Sequence, residues 1–289
     1  MLAIGQSFFF GSSHPIFKVV CARLEHRTHY IVIFKKVAVR KEEGALKVTW
    51  ISHRGYKENA VENTLEAFAK AVSEGFTSLE TDLRVTRDQH IVLHHDASLA
   101  RLAGIDTLIA DMTRSELSEI VLRERGASGR LMFLDRFLRE FPGCSWTFDI
   151  KPENALDTIR SLYNWSRQEG LFDWLMAQSK FVLWQKTHED YLYSLFPSAT
   201  CYAREPECWR AGLWALLGIT QLSGLKRDRV YSLPPRLGVI PLYRRELISR
   251  FHDRGARVLA FLPESESDIR DALDSGVDEI LTNGLPSLK

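Results

Sequence analysis

Ser78-Leu79-Glu80-Thr81-Asp82-Leu83 is the stretch whose reading decides the architecture. Successive side chains of a strand point to opposite faces, so Glu80 and Asp82 share one side. Leu79 and Leu83 make the surroundings apolar. Two acids on one face are ordinary surface charges if that face meets solvent. If the strand is covered, they are buried like charges and need a cation between them. The neighbouring sequence decides between these.

Outward from that strand the chain alternates short β-rich runs with amphipathic helical stretches. Strands are expected at Trp50–His53, Ser78–Leu83, Trp146–Lys151, Phe181–Gln185, Thr200–Ala203, Val230–Leu233, Val258–Leu262 and Glu279–Thr282. Between most of them lie helix-length segments. From Asn63 to Gly75, Leu65, Phe68, Ala69 and Val72 fall on one helical face, with Gly75 as the stop. Thr113-x-x-Glu116 is a capping box, and Ser265-Glu266-Ser267-Asp268 opens a helix ending at Gly276. Eight strands alternating with helices over about 240 residues predict an α/β fold, a (β/α)8 TIM barrel. One connection differs. Thr86–His90 reads as a turn and Ile91-Val92-Leu93 as a return strand, so a short hairpin after the second strand should carry His94-His95-Asp96 back to the barrel mouth.

In such a barrel a strand side chain faces either the interior or the helices, and neither place tolerates an unpaired carboxylate. Asp149-x-Lys151 repeats the pattern between Phe148 and Ile150. Glu80, Asp82 and Asp149 therefore suggest oxygen ligands for a hard divalent cation, Mg²⁺ or Ca²⁺. Arg54 and Lys151 add positive charge suited to a phosphate. His53 and His95, at strand ends, titrate near neutral pH. Cleaving a phosphodiester requires removing one proton and delivering another. The residues alone point to a metal-dependent phosphoester hydrolase, with structural ion pairs as the competing account.

Of the 289 residues 45% are hydrophobic, which supports a sizeable core and excludes disorder for most of the chain. A net charge of +1 gives no general case for nucleic acid or an anionic membrane. That total conceals an imbalance. Residues 1–47 hold eight basic and three acidic side chains, a net of +5, leaving −4 for the rest. They read as an N-terminal extension of unassigned role, compatible with partial disorder. Residues 48–289 form the barrel domain. No run approaches the roughly 18 apolar residues of a membrane span. Cys21, Cys144, Cys201 and Cys208 show neither disulfide-scaffold nor metal spacing, which points to a reducing compartment and a cytoplasmic location.

The ordered series of motifs resembles the glycerophosphodiester phosphodiesterase family, barrels of the phospholipase-C-like type. It runs His53-Arg54-Gly55, Glu62-Asn63-Thr64, Ala67-Phe68, Glu80-x-Asp82, Thr86-x-Asp88-x-x-x-Val92-x-x-His95-Asp96 and Arg101. Asp149-x-Lys151, His252-x-x-Gly255, Gly276-Val277-Asp278 and Thr282-Asn283-x-x-Pro286 complete it. The resemblance covers the chain from about Trp50 onward. It implies cleavage of glycerophosphodiesters to sn-glycerol 3-phosphate and an alcohol. Glu80, Asp82 and Asp149 would bind the metal, with His53 and His95 as the acid/base pair. Arg54 and Lys151 would hold phosphate oxygens, with Asn63 beside the site. Trp184 and Phe261 would contact substrate, and Gln185, Lys186 and His188 are weaker candidates.

Four departures follow. Asp149 stands where the family usually has Glu, which would shift the metal or admit a water. Val61 stands where Pro is usual, and Phe261 where Trp is typical. Residues 97–145 are expected to be helical connection without the family's inserted domain, leaving the site open. Trp209, Leu213, Trp214, Leu216 and Leu217 form an apolar helical cluster expected to pack on the barrel, a dimer contact or a lipid aggregate being its alternatives. The expected partner is a small glycerophosphodiester. The alternatives are lysophospholipase D-like action on a lysophospholipid, or a catalytically weak phosphodiester-binding barrel.

Overall fold

In the computed structural model, which describes residues 48–285, every expected barrel strand is present. The extension read over residues 1–47 lies outside the described residues. β1 (Thr49–His53), α1 (Leu65–Ser73) and β2 (Ser78–Val85) come first, then β3 (Ile91–Leu93). Later come α2 (Leu134–Glu140), β4 (Ser145–Ile150), α3 (Ala155–Gln168), α4 (Phe172–Gln178), β5 (Ser179–Val182) and α5 (Lys186–Leu195). The chain ends with β6 (Thr200–Cys201), α6 (Glu205–Leu216), β7 (Val230–Leu233), α7 (Arg245–His252), β8 (Arg257–Phe261), α8 (Glu266–Ser275) and β9 (Glu279–Thr282).

The main sheet runs in the order β6-β5-β4-β2-β1-β9-β8-β7, with every pair parallel. Its two ends meet at a seam, where the Ala203 N–H donates to the Val230 carbonyl at 2.8 Å. The helix α6 connects the two seam strands. The sheet is thus an eight-stranded barrel, nearly closed by strand pairing. β3 returns antiparallel on β2, pairing Leu83 with Leu93 and Val85 with Ile91, which is the expected hairpin. Leu79 and Leu83 join Phe68, Phe137, Trp146 and Phe148 in the cluster under the helices. Alternation then sends Glu80 and Asp82 into the barrel. Below them Glu279, fully buried, binds Lys180, Tyr202 and Arg257 and plugs the interior.

Three expectations are corrected. The strand read as Phe181–Gln185 ends at Val182, because Gln185 already caps α5, so Trp184 stands beyond the ladder. Asn63 does not begin α1. It has φ +57°, and Thr64 is the N-cap, accepting from Ala67 N. Residues 97–145 are more than helical connection. Ser98–Leu99 pairs with Ile105–Leu108, and Val121–Glu124 with Ala127–Arg130, around a hydrophobic cluster that includes Leu102, Leu117, Leu122 and the fully buried Val61. These strands are short and joined through left-handed Gly104 and Arg125-Gly126, so no long period announces them.

Candidate active site

β1 delivers His53, and the chain then turns sharply. Arg54 and Gly55 both have positive φ, +59° and +85°. A Cβ on Gly55 would lie 2.6 Å from Ala67 of α1, so only glycine permits this approach. The turn directs the Arg54 backbone N–H to Glu80 Oε2 at 3.1 Å, and its guanidinium to Glu62 at 3.2 Å and Asp82 Oδ2 at 3.0 Å.

Adjacent strands bring the acids together. Asp82 of β2 stands in register with Asp149 of β4. Oxygens of Glu80, Asp82 and Asp149 lie within 4.8 Å of one another. Lys151 Nζ bridges two of them, 2.8 Å from Asp82 Oδ1 and 2.6 Å from Asp149 Oδ2. Behind Asp82, Asn63 Nδ2 donates to Oδ2 at 2.8 Å, and Asn63 Oδ1 accepts from Thr81. Trp184 Nε1 donates to Asp149 Oδ1 at 2.8 Å.

Burial, with the Asp82 charge nearby, pushes the Glu80 carboxyl well above its ordinary range. Burial also raises Asp149. Asp82 is buried too, but Lys151 and Arg54 hold it down at about 2. Two cations thus stabilise one of the three carboxylates as an anion and leave the others protonation-prone. Asp82 Oδ1 is fully buried, and its partner is the Lys151 ammonium at 2.8 Å. An all-oxygen donor set of three converging carboxylates, two of them raised by burial, fits a hard divalent cation.

Both histidines are anchored through Nδ1. His53 Nδ1 lies 2.8 Å from Asn283 Oδ1 on the far side of β1 from Glu80, and His95 Nδ1 lies 2.7 Å from Asp96 Oδ1. These oxygens only accept, so each Nδ1 carries the hydrogen and each Nε2 is left as the working atom. Burial and Arg54 lower His53 to about 4, so its ring is neutral. Arg101 binds both Asp96 and Glu62, linking the His95 anchor to Arg54.

A cavity of about 770 Å³ opens over this cluster. His53, Arg54, Glu80, His95, Asp149 and Lys151 line its base, with Trp184 and Phe261 further out. Asp82 and Asn63 lie behind that lining, fully buried. Lys186 instead pairs with Asp190 at the surface. Glu62, Arg101 and Asn283 belonged to the quoted motifs, but their parts were not foreseen: Arg101 meets Glu62 across 39 positions and Asn283 meets His53 across 230. The apolar cluster on α6 packs only in part, with Leu216 against the core and Trp209, Leu213 and Leu217 exposed. Trp209 and Leu213 are 56% and 52% exposed and form one wall of the cavity. Leu216, Leu233, Leu242 and Leu259 continue that wall, which is predominantly apolar.

Convergent charge at the carboxyl ends of barrel strands is the arrangement of a (β/α)8 enzyme. Residues 53–285 match the model of the glycerophosphoryl diester phosphodiesterase family. A glycerophosphodiester phosphodiesterase of Bacillus altitudinis is 38% identical over 248 residues, 80% of this chain and 93% of that protein. A lysophospholipase D of Rattus norvegicus is 31% identical over 144 residues, 46% of each chain, so the match spans about half of that relative. The solved glycerophosphoryl diester phosphodiesterase domain of a Mycobacterium tuberculosis protein superposes with a TM-score of 0.70 at 14% identity, covering 82% of this chain and 96% of that one. The chain belongs to the glycerophosphoryl diester phosphodiesterase family, a family of phosphodiester hydrolases. Among the described residues no helix is long and apolar enough to cross a membrane.

Proposed function

We propose that the barrel hydrolyses glycerophosphodiesters to sn-glycerol 3-phosphate and an alcohol, with a divalent cation, Mg²⁺ or Ca²⁺, held by Glu80, Asp82 and Asp149. The observation that carries this reading is the meeting of three carboxylates, two of them buried and Asp149 partly exposed to the cavity, beside two histidines whose Nε2 atoms are both left free. When bound, the cation supplies Lewis-acid charge for the phosphoryl oxygens. Arg54 and Lys151 line the cavity and turn their remaining N–H groups to the phosphate. His53 Nε2 takes the proton from the attacking oxygen. His95 Nε2 delivers one to the departing alkoxide, with the Asp96 carboxylate balancing charge on the ring. Asn63 keeps Asp82 aimed, and Trp184 does so for Asp149. Phe261 offers an apolar wall to the glycerol side.

A second reading is favoured by one observation. The cavity wall above the phosphate position is apolar from Trp209 through Leu213, Leu216 and Leu233. A glycerophosphodiester without an acyl chain leaves that wall unused, whereas a lysophospholipid fills it. Choline release from glycerophosphocholine and from lysophosphatidylcholine, with Mg²⁺, with Ca²⁺ or with chelator, tests both readings. Hydrolysis should require the cation and fall by at least about 10²-fold in His53→Ala. Equal background rates in wild type and variant overturn the proposal. Preference for lysophosphatidylcholine selects the second reading.

A further inference from the structure

We infer that the rim of the cavity docks on an anionic lipid surface, through the exposed stripe of α6 and the hairpin of Arg236–Leu237 with Ile240–Pro241. The inference rests on the lysophospholipid reading of the site. Trp209, Leu213 and Leu217 recur every four residues, so they form one stripe along the helix. They are 56%, 52% and 59% exposed. At the hairpin the turn is Gly238-Val239, since Leu237 pairs with Ile240. Val239 at its tip is 90% exposed, and Ile240 follows it outward. Bulky apolar groups at such positions lower the solubility of a free surface without serving the core.

Both elements belong to the cavity as well. Trp209 and Leu213 line it from the helix, and Leu237 from the hairpin. The exposed apolar rim is therefore continuous with the apolar wall that descends to the carboxylates. An amphiphile lying with its phosphate at the base would leave through this rim, and the surface that holds such amphiphiles meets the rim directly.

Charge selects the kind of surface. Arg204 and Arg229 near this wall are taken up in ion pairs with Glu189 and Glu207 and present no net charge outward. Arg210, beside Trp209, and Arg236, in the hairpin, are exposed. Apolar side chains flanked by arginines suit an interface with anionic headgroups. A second copy seated on the same face would close the cavity to substrate.

The test uses the full chain, co-sedimented with vesicles of phosphatidylcholine containing phosphatidylglycerol. Leu217 and Val239 do not line the cavity, so Leu217→Asp with Val239→Asp should leave glycerophosphocholine turnover unchanged. The wild type should sediment with the vesicles. The double variant should lose at least about tenfold in partitioning, and Arg236→Ala should weaken binding to anionic vesicles. The inference is overturned if the wild type stays in the supernatant, if the double variant sediments equally well, or if the face instead mediates a concentration-dependent dimer that the same substitutions dissociate. Vesicle binding without hydrolysis of either choline substrate would count against the functional reading and leave the docking surface standing. Hydrolysis without vesicle binding would do the reverse.

Discussion

His95 Nδ1 lies 2.7 Å from Asp96 Oδ1, and the other oxygen of that carboxylate is held by Arg101. Arg101 also binds Glu62, which pairs with Arg54. The orientation of one histidine is thereby tied to the arginine at the other side of the mouth. Asp96→Asn keeps an oxygen for Nδ1 but removes the charge that balances a protonated ring and frees Arg101. We expect kcat to fall about 10- to 100-fold with KM nearly unchanged. Steady-state kinetics on glycerophosphocholine check this, and an unchanged kcat would remove Asp96 from the orienting role.

Glu80 is buried, and burial beside the Asp82 charge raises its carboxyl, so its ionised form is disfavoured when no cation is present. Glu80→Gln should therefore change the stability of the metal-free protein by no more than about 1 kcal/mol. It should cost a cation much of its binding. In the wild type, Mg²⁺ or Ca²⁺ at a hundredfold over its dissociation constant adds about 2.7 kcal/mol. Thermal unfolding with cation and with chelator should show a clear upward shift in the wild type and a much smaller one in the variant. Equal shifts in both proteins would place the cation elsewhere.

The barrel was legible because its strands carry their signal locally. Val230–Leu233 and Glu279–Thr282 appear with the expected bounds, since apolar β-rich runs beside turn residues suffice to mark them. The candidate site was legible where a motif places its groups one or two residues apart, as in Glu80-x-Asp82 and Asp149-x-Lys151. What stayed hidden depends on distant partners. The Asn283 anchor of His53 joins residues 230 positions apart, and only barrel closure brings β9 beside β1. The strands within residues 97–145 were hidden by shortness. The exposure of Trp209 and Leu213 was hidden for another reason. An apolar helical stripe looks the same in sequence whether it faces a core or a cavity.

Gly55 sits at φ +85°, and the missing Cβ would meet the Ala67 backbone carbonyl carbon at 2.6 Å. Gly55→Ala must therefore strain the backbone and push α1 away from the turn that aims Arg54. A loss of at least about 2 kcal/mol is expected, visible as a lower urea midpoint, with reduced turnover. Gly143 meets nothing within 4 Å and has no left-handed φ, so Gly143→Ala should stay within about 0.5 kcal/mol. If the two variants unfold at the same midpoint, the close approach at Gly55 is not what requires glycine there.

His94 is almost wholly buried beside the site, its Nε2 3.3 Å from the Ser98 carbonyl. Burial lowers its ring to about 4, although Asp96 and the Ser98 carbonyl pull the other way. An unfolded histidine titrates near 6.5. Between these values the unfolded chain binds a proton that the folded ring refuses. The stability is complete above about pH 6.5 and is lost as the pH falls towards 4. The difference corresponds to about 3 kcal/mol for this one ring. Urea unfolding at pH 7 and at pH 4, in chelator, should show the wild type losing about that much more than His94→Gln. His53, lowered for the same reason of burial, still contributes its own loss in both proteins. Parallel losses in wild type and variant would mean that the folded protein accepts a proton on His94 without penalty, and that the buried neutral ring is not what makes it acid-sensitive.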